Sequence, residues 1–381
     1  MSTSSPHRYR QQGHALGVPD EVLQRAIVQS SVVEQAGLPS ILTLGHLAHR
    51  TGVPHRHLRA VVERSEDSYR SFEVHRKSGK RARLISAPTP TLMLVQRWIL
   101  DRVLNRLPLH PGGYAYRNGR SIKQCATRHL GARWLVKADL HNFFHSIDER
   151  AVYQVFLLAG YQPLVSFELA RICTRVTGRH SRRSHAREHE YLGIERYKHS
   201  QLGFLPQGSP TSGALANLVA RDFDKVLADF GADEDLVYTR YADDIVFSSS
   251  DEFRRGRAVE ILRKIDNTAR RFDFEMHHRK SRIVPPGSRK IVLGLLVDGS
   301  RVRLRKELRS KIQNHLRGVE VFGLVDHRKE RGFASSKGFI CHFSGLLAFA
   351  HDIEPDWAAP LQQRWRTLLE TSGWAQLVSL C

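Results

Sequence analysis

The sequence predicts an α+β chain: a β-rich centre framed by helical stretches on both sides. Three observations carry that reading. Runs rich in β-branched and aromatic residues occupy Trp134–Ala138 and Leu236–Ser248. Apolar residues at helical spacing dominate elsewhere, as in Leu92, Val95, Trp98, Ile99 and Val103. Carboxylates sit where the two β-rich runs turn, at Asp139 and at Asp243–Asp244.

The length of 381 residues allows one large domain or two to three subdomains, and a hydrophobic content of 41% suffices for a core. Lys and Arg number 59 against 38 Asp and Glu, a formal net charge of +21. Such an excess predicts a polyanionic partner. The four cysteines, Cys125, Cys173, Cys341 and Cys381, form no CxxC pair, so no zinc site is readable and a reduced, cytoplasmic setting is expected. No stretch approaches the ~18 apolar residues of a membrane helix, and the start has no signal core.

Residues 1–18 are polar and read as a frayed arm. Helical spacing begins at Glu21. Leu42–Pro54 and His57–Val62 read as a helix, a turn and a helix. That pair is either a reader of duplex DNA or a helical lead-in packed on the next domain, and the second reading is the favoured one. Phe72–Pro88 reads as a hairpin with a glycine turn. Its tip carries Arg76, Lys77, Lys80, Arg81 and Arg83, either a solvated charged turn or a phosphate clamp. Residues 91–107 have helical spacing. His110–Ile122 is a glycine-rich loop in which Arg117 and Arg120 either touch a nucleic-acid backbone or decorate the surface.

The strand Trp134–Asp139 ends on a carboxylate and is followed by Phe143-Phe144. From 178 to 203 runs a basic insertion. Arg182 and Arg183 within it are expected to touch RNA. His185 and His189 have i, i+4 spacing, but no Cys or acidic pair completes a metal site. Leu205–Ser212, with Gly208 and Pro210 fixing a turn, leads into a helix. Leu236–Ser248 reads as a tight hairpin with two adjacent aspartates at its tip. Side by side these repel, and Asp is depleted in strands. The pair is tolerable when a divalent cation lies between the carboxylates. The alternative for an isolated Asp-Asp turn is simple solvation; the third acid, Asp139, in a matching setting favours the cation.

Arg257–Phe274 reads as an amphipathic helix, His277–Val284 as a basic stretch with Lys280, and Ile291–Gly299 as a further hairpin. From Arg303 the chain reads helical again, beginning with the basic Arg303, Arg305, Lys306, Arg309 and Lys311 and ending in a helix over Leu361–Leu369.

Tyr241-Ala242-Asp243-Asp244 resembles the catalytic box of reverse transcriptases. The Asp139 stretch resembles their first palm motif, and Leu205-Pro206-Gln207-Gly208-Ser209-Pro210-Thr211-Ser212 the one between. Three motifs in that order are a strong signal, and the likeness is greatest to bacterial retron-type enzymes. It covers about residues 70–350. It implies a right-hand polymerase fold: a helical N-terminal segment at 1–65, fingers at 66–131, a palm at 132–300 and a helical thumb at 301–381. It implies two Mg²⁺ ions held by Asp139, Asp243, Asp244 and the carbonyl of Leu140. Lys77, Arg83, Gln207 and Lys280 would meet the incoming nucleotide. Phe144 would either exclude a 2′-hydroxyl or serve as core beside Phe143. Arg117, Arg120, Arg303 and Arg305 would contact nucleic acid.

The implied activity is RNA-directed DNA synthesis from dNTPs on part of a partner non-coding RNA, in anti-phage defence, with an RNA/DNA hybrid as product and an effector protein as a further partner. Two positions depart from the retron pattern: Cys125 stands where the family often has Asn ahead of Ala126 and His129, and Val292-Leu293-Gly294 replaces Val-Thr-Gly. They keep open a non-retron defence or orphan enzyme. A catalytically silent nucleic-acid scaffold is the alternative from another class, and the presence of all three acids opposes it.

Overall fold

The computed structural model describes residues 6–74, 83–176 and 202–376. Four helices lead: α1 (Pro6–Ala15), α2 (Asp20–Gln35), α3 (Leu44–Thr51) and α4 (His55–Glu63). The expected frayed arm is therefore helical from Pro6. Arg10 pairs with Asp20 across the α1–α2 turn, and Gly13 lets α1 lie against Leu23, where a β-carbon would come within 2.3 Å of Cδ2. Thr43 caps α3 by accepting from His46 N, and Gly52 ends it at φ +69°. Leu58, Val61 and Val62 of α4 are buried in the same core as Phe156 and Phe167. The α3–α4 pair is thus packed onto the body of the molecule, as the favoured reading expected.

Next come β1 (Tyr69–Val74) and β2 (Arg83–Pro88), antiparallel with Tyr69 opposite Pro88 and Val74 opposite Arg83. The hairpin tip, with Lys77, lies outside the described residues. Then follow α5 (Pro90–Arg102), a 3₁₀ turn at Leu104–Arg106, and α6 (Ile122–Thr127), opened by a capping box between Ser121 and Gln124. The strand β3 (Trp134–Asp139) leads to α7 (Phe143–Ser146), α8 (Glu149–Leu158) and α9 (Pro163–Cys173). Most of the basic insertion, including Arg182, Arg183, His185 and His189, also lies outside the described residues. The chain returns as α10 (Ser212–Val219), α11 (Arg221–Asp233), β4 (Val237–Tyr241), β5 (Asp244–Ser249), α12 (Arg255–Arg271) and β6 (Arg282–Val284). Short strands β7 (Ile291–Val292), β8 (Leu295–Leu296) and β9 (Arg303–Leu304) precede α13 (Lys306–Glu330), α14 (Ser336–Ile353) and α15 (Pro355–Thr371).

The central sheet has the order β4-β5-β3-β6, all neighbours antiparallel. Side chains alternate across a strand, and the cores divide accordingly. Val136, Ala138, Ile245 and Phe247 point into one core with Phe223, Ile261 and Ile265 of α11 and α12. Leu135 and Val246 point the other way, into a second core built mainly from β7–β9 and α13–α15. Asp139 and Asp244 share the parity of Leu135 and Val246, so α11 and α12 cover one face of the sheet and the carboxylates emerge on the other, at the strand ends beyond the second core.

Candidate active site

Register brings the acids together. Asp139 is the Cα partner of Asp244 at the open end of the β3–β5 pair. Asp243 is held beside them by its backbone, whose carbonyl accepts from Leu140 N at 2.9 Å. The turn needs an unusual backbone: Ala242 has φ +56°, where a β-carbon is disfavoured. Beneath the tip, the imidazole of His129 joins both hairpin strands, 2.7 Å from Ser248 Oγ and 2.7 Å from Thr239 Oγ1. Burial pushes the His129 pKa down to about 3, so the ring is neutral and acts as a hydrogen-bonding strut.

Electrostatically the site calls for a cation. Burial, Asp243 and Asp139 together push the Asp244 carboxyl above its ordinary range, opposed by Lys137 and Lys280. Lys280 Nζ donates to Asp139 Oδ1 at 2.7 Å. Among the described residues no three His, Cys, Asp or Glu side chains already converge on one point. The positive charge at Asp139 here is the lysine ammonium. Carboxylate and carbonyl oxygens are hard donors, suited to Mg²⁺ or Mn²⁺ rather than to a soft metal. Lys137, two residues before Asp139 on the same strand face, was not singled out from sequence. A lysine inside an otherwise apolar strand was the available signal. Burial lowers its pKa against the pull of Asp244, and its Nζ donates to Ile291 O at 3.3 Å.

The loop before α10 is fixed from several sides. Ser86 N of β2 donates to Gln207 O at 2.7 Å. Gly208 has φ +122°, and a β-carbon there would lie 2.9 Å from Ile85 Cγ2. Ser209 Oγ donates to Gln96 Oε1 at 2.9 Å and Ser212 Oγ to Pro206 O at 2.7 Å. The β1–β2 hairpin and the Gln207 turn are therefore one mechanical unit. Arg83 belongs to it through the backbone of β2. Phe144 is half-buried, with the ring of Tyr116 at 5.8 Å edge-on and that of Phe143 at 5.7 Å. Tyr116 lies so close over Gly213 that a β-carbon there would come 2.3 Å from its Cγ. Tyr116 was likewise not singled out from sequence, since nothing in the loop marks which aromatic packs over Gly213 and Phe144.

The remaining candidates are more dispersed. Arg117 is tied to its own loop through His110 O at 3.3 Å, and Arg120 lies over the Tyr114 ring at 5.0 Å. Arg303 is exposed on β9, and Arg305 pairs with Glu307 at 3.2 Å at the start of α13.

Residues 75–295 match the family described as reverse transcriptase (RNA-dependent DNA polymerase). The chain is 29% identical over 311 residues to the retron Ec86 reverse transcriptase of Escherichia coli, covering 77% of this chain and 88% of that one. To the retron Ec73 reverse transcriptase of Escherichia coli it is 29% identical over 315 residues, covering 80% and 89%. To the retron Mx65 reverse transcriptase of Myxococcus xanthus it is 31% identical over 305 residues, covering 78% and 64%.

Proposed function

Because the chain belongs to the reverse transcriptase family and is an RNA-directed DNA polymerase with the right-hand fold, we propose that Asp139, Asp243 and Asp244 hold two Mg²⁺ ions at its catalytic centre. The carbonyl of Leu140 completes the protein's ligands. The observation that carries this reading is the pairing of Asp139 with Asp244 in register, with Asp243 tied to the same strand end. When bound, the ions lower the pKa of the primer 3′-hydroxyl and offset charge on the triphosphate. The protein's own groups do the rest. Lys280 Nζ gives a proton to the leaving pyrophosphate. Arg83 and Lys77 hold the triphosphate. Gln207 lines the nucleotide, and Phe144 sits where a 2′-hydroxyl would be. Residues 66–131 act as fingers, 132–300 as palm and 301–381 as thumb, behind the helical segment 1–65. Arg117, Arg120, Arg303 and Arg305 line the nucleic-acid path, joined by Arg182 and Arg183 of the insertion.

We further infer a retron role. The chain copies part of one structured non-coding RNA in the cytoplasm and acts, with an effector protein, in defence against phage. The retron names of the relatives support this reading, as does the +21 charge, which suits a stable RNA partner. The two departures at Cys125 and Leu293 favour the second reading, a defence enzyme without a retron RNA.

The test is to purify the protein from its native host beside Asp243→Ala and sequence the nucleic acid that accompanies each. One structured RNA joined to a short DNA, with the DNA missing in the variant, is the expected result. Mixed RNA with no discrete DNA would overturn the retron reading in favour of the orphan one. DNA of equal yield from the variant would remove Asp243 from the mechanism.

A further inference from the structure

We propose that Arg240 is a positioning residue: its guanidinium sets the aspartate turn against the helix and loop that wall the nucleotide site. The proposal rests on the reading that Asp243 and Asp244 hold the metal ions. Arg240 lies in β4, three residues before Asp243, and is fully buried. It is not an ordinary buried ion pair. Nε and Nη2 donate to the two carboxylate oxygens of Asp224 on α11, at 2.6 and 2.7 Å. Nη2 also donates to Asn217 Oδ1 of α10 at 3.2 Å. Nη1 donates at 3.0 Å to the carbonyl of Ala242. Four donor contacts from one planar group thus reach α11, α10 and the tip of the aspartate turn. The Phe143 ring lies 5.4 Å below the guanidinium carbon.

The backbone extends the same junction. Arg240 N donates to Gly112 O at 2.8 Å, and Tyr114 N donates to Arg240 O at 2.9 Å. Asn217 Nδ2 in turn donates to Ala115 O at 2.6 Å. Tyr116, one residue on, is the ring that packs against Phe144. A continuous set of hydrogen bonds therefore runs from the loop over the nucleotide site, through Asn217 and Arg240, to the peptide that precedes Asp243.

Two physical points make this a positioning device. First, a buried ion pair is a weak source of stability, because desolvation offsets its attraction. A well-packed apolar pair would fill the space between sheet and helix as well. Second, Ala242 is held at φ +56°. Such backbones persist when their surroundings over-determine them. The contact from Nη1 fixes the carbonyl of that residue. Lysine cannot reproduce the arrangement, since its donors radiate from a single atom and cannot span Asp224, Asn217 and Ala242 together.

The experiment compares Arg240→Lys, Tyr238→Phe and Asp243→Ala in the full chain. A generic RNA template with a DNA primer is extended under MgCl₂ titration, with KM for dNTP and the melting temperature measured in parallel. Arg240→Lys is expected to lower kcat by about 10²-fold, the scale of a misplacement of about 1 Å. It also raises the half-saturating Mg²⁺ concentration several-fold and leaves KM for dNTP within about twofold. Tyr238→Phe removes a hydroxyl that donates to Asp224 Oδ1 at 2.7 Å without reaching Ala242. It is expected to keep the wild-type Mg²⁺ requirement even where the melting temperature falls. Should Arg240→Lys not fold, Asn217→Ala, which cuts one arm of the junction, is expected to shift the Mg²⁺ requirement in the same direction.

A wild-type Mg²⁺ requirement and kcat in Arg240→Lys overturn the proposal. So does a loss of kcat that follows the melting temperature equally in Arg240→Lys and Tyr238→Phe. Full synthesis by Asp243→Ala brings down the metal reading itself. An inert Asp243→Ala beside an unimpaired Arg240→Lys brings down the positioning role alone.

Discussion

Lys280 Nζ lies 2.7 Å from Asp139 Oδ1, across 141 positions of sequence. The backbone arranges the meeting. His277 N donates to Asp139 O at 2.7 Å, and Lys280 N donates to His277 O at 2.9 Å. The turn after α12 therefore delivers the lysine to the end of β3. The lysine side chain is 57% exposed while Asp139 is 12% exposed. The ammonium is consequently free to leave, whereas the carboxylate is fixed.

That asymmetry gives the first prediction. A bound cation and the Lys280 ammonium compete for Asp139. Lys280→Ala should lower the half-saturating Mg²⁺ concentration while slowing nucleotide incorporation by about 10²-fold to 10⁴-fold, the usual worth of a positioned proton donor. Single-turnover incorporation at several Mg²⁺ concentrations separates the two effects. An unchanged rate would reduce Lys280 to a surface residue.

Asp244 gives a prediction about stability. Its carboxyl is raised by burial, by Asp243 and by Asp139. A raised native pKa means that the native state keeps its proton to higher pH than the unfolded chain does. Stability from that group is present at low pH and is lost as pH rises through the native value. Asparagine does not ionise. Asp244→Asn should therefore melt no lower than wild type at pH 7 to 8 in the presence of EDTA. Wild type should gain a few degrees on addition of Mg²⁺, and the variant less. Thermal denaturation of both proteins with and without Mg²⁺ checks this, and an equal gain would argue against Asp244 as a ligand.

Phe144 is half-buried, its ring beside Phe143 and edge-on to Tyr116. Phe144→Ala should weaken discrimination against ribonucleotides by about 10-fold to 200-fold, the scale for one small group in a pocket. The ratio of kcat/KM for dNTP and rNTP measures it. Unchanged discrimination with a lower melting temperature would make Phe144 a core residue only.

The parts of the site carried by short contiguous strings were legible in the sequence. Asp139, Asp243 and Asp244 end β-rich runs, and their hairpin and its register follow from alternation. The turn at Gly208 was equally readable, because glycine and proline leave few backbone choices. Arg240 and Asp224 were not, although Arg240 is part of the same string. An arginine in a strand reads as solvated until the helix opposite is known to supply a carboxylate. Lys137 stood out only as a lysine in an apolar strand; that its partners are Ile291 O and the charge of Asp244 depends on strands distant in sequence. The frayed arm was misjudged because the packing of α1 depends on Leu23 meeting Gly13, a contact between helices that local polarity does not encode.

The last prediction concerns another such network. Glu149, at the start of α8, is fully buried. Its Oε2 accepts from Arg64 Nη2 at 2.8 Å and from Gly203 N at 3.2 Å, and its Oε1 from Arg171 Nε at 3.1 Å. Arg64 ends α4 at φ +59° and also donates through Nη1 to Thr174 O at 2.6 Å. One carboxylate thus joins the leading helices, α9 and the far end of the basic insertion. Burial alone would raise its pKa, but Arg64 and Arg171 outweigh that and hold it below the ordinary 4.5. Its stabilisation is therefore present above the unfolded value and is lost as pH falls through the native one. Glu149→Gln keeps the shape but removes the buried charge that both Arg64 and Arg171 face. The expected cost is about 3–5 kcal/mol at neutral pH, as for breaking a buried pair from one side. Urea denaturation at pH 7 and again near pH 4 tests both statements. The gap between wild type and variant should be wide at pH 7 and narrow toward pH 4. A gap of the same size at both would mean that Glu149 acts through packing and not through its charge.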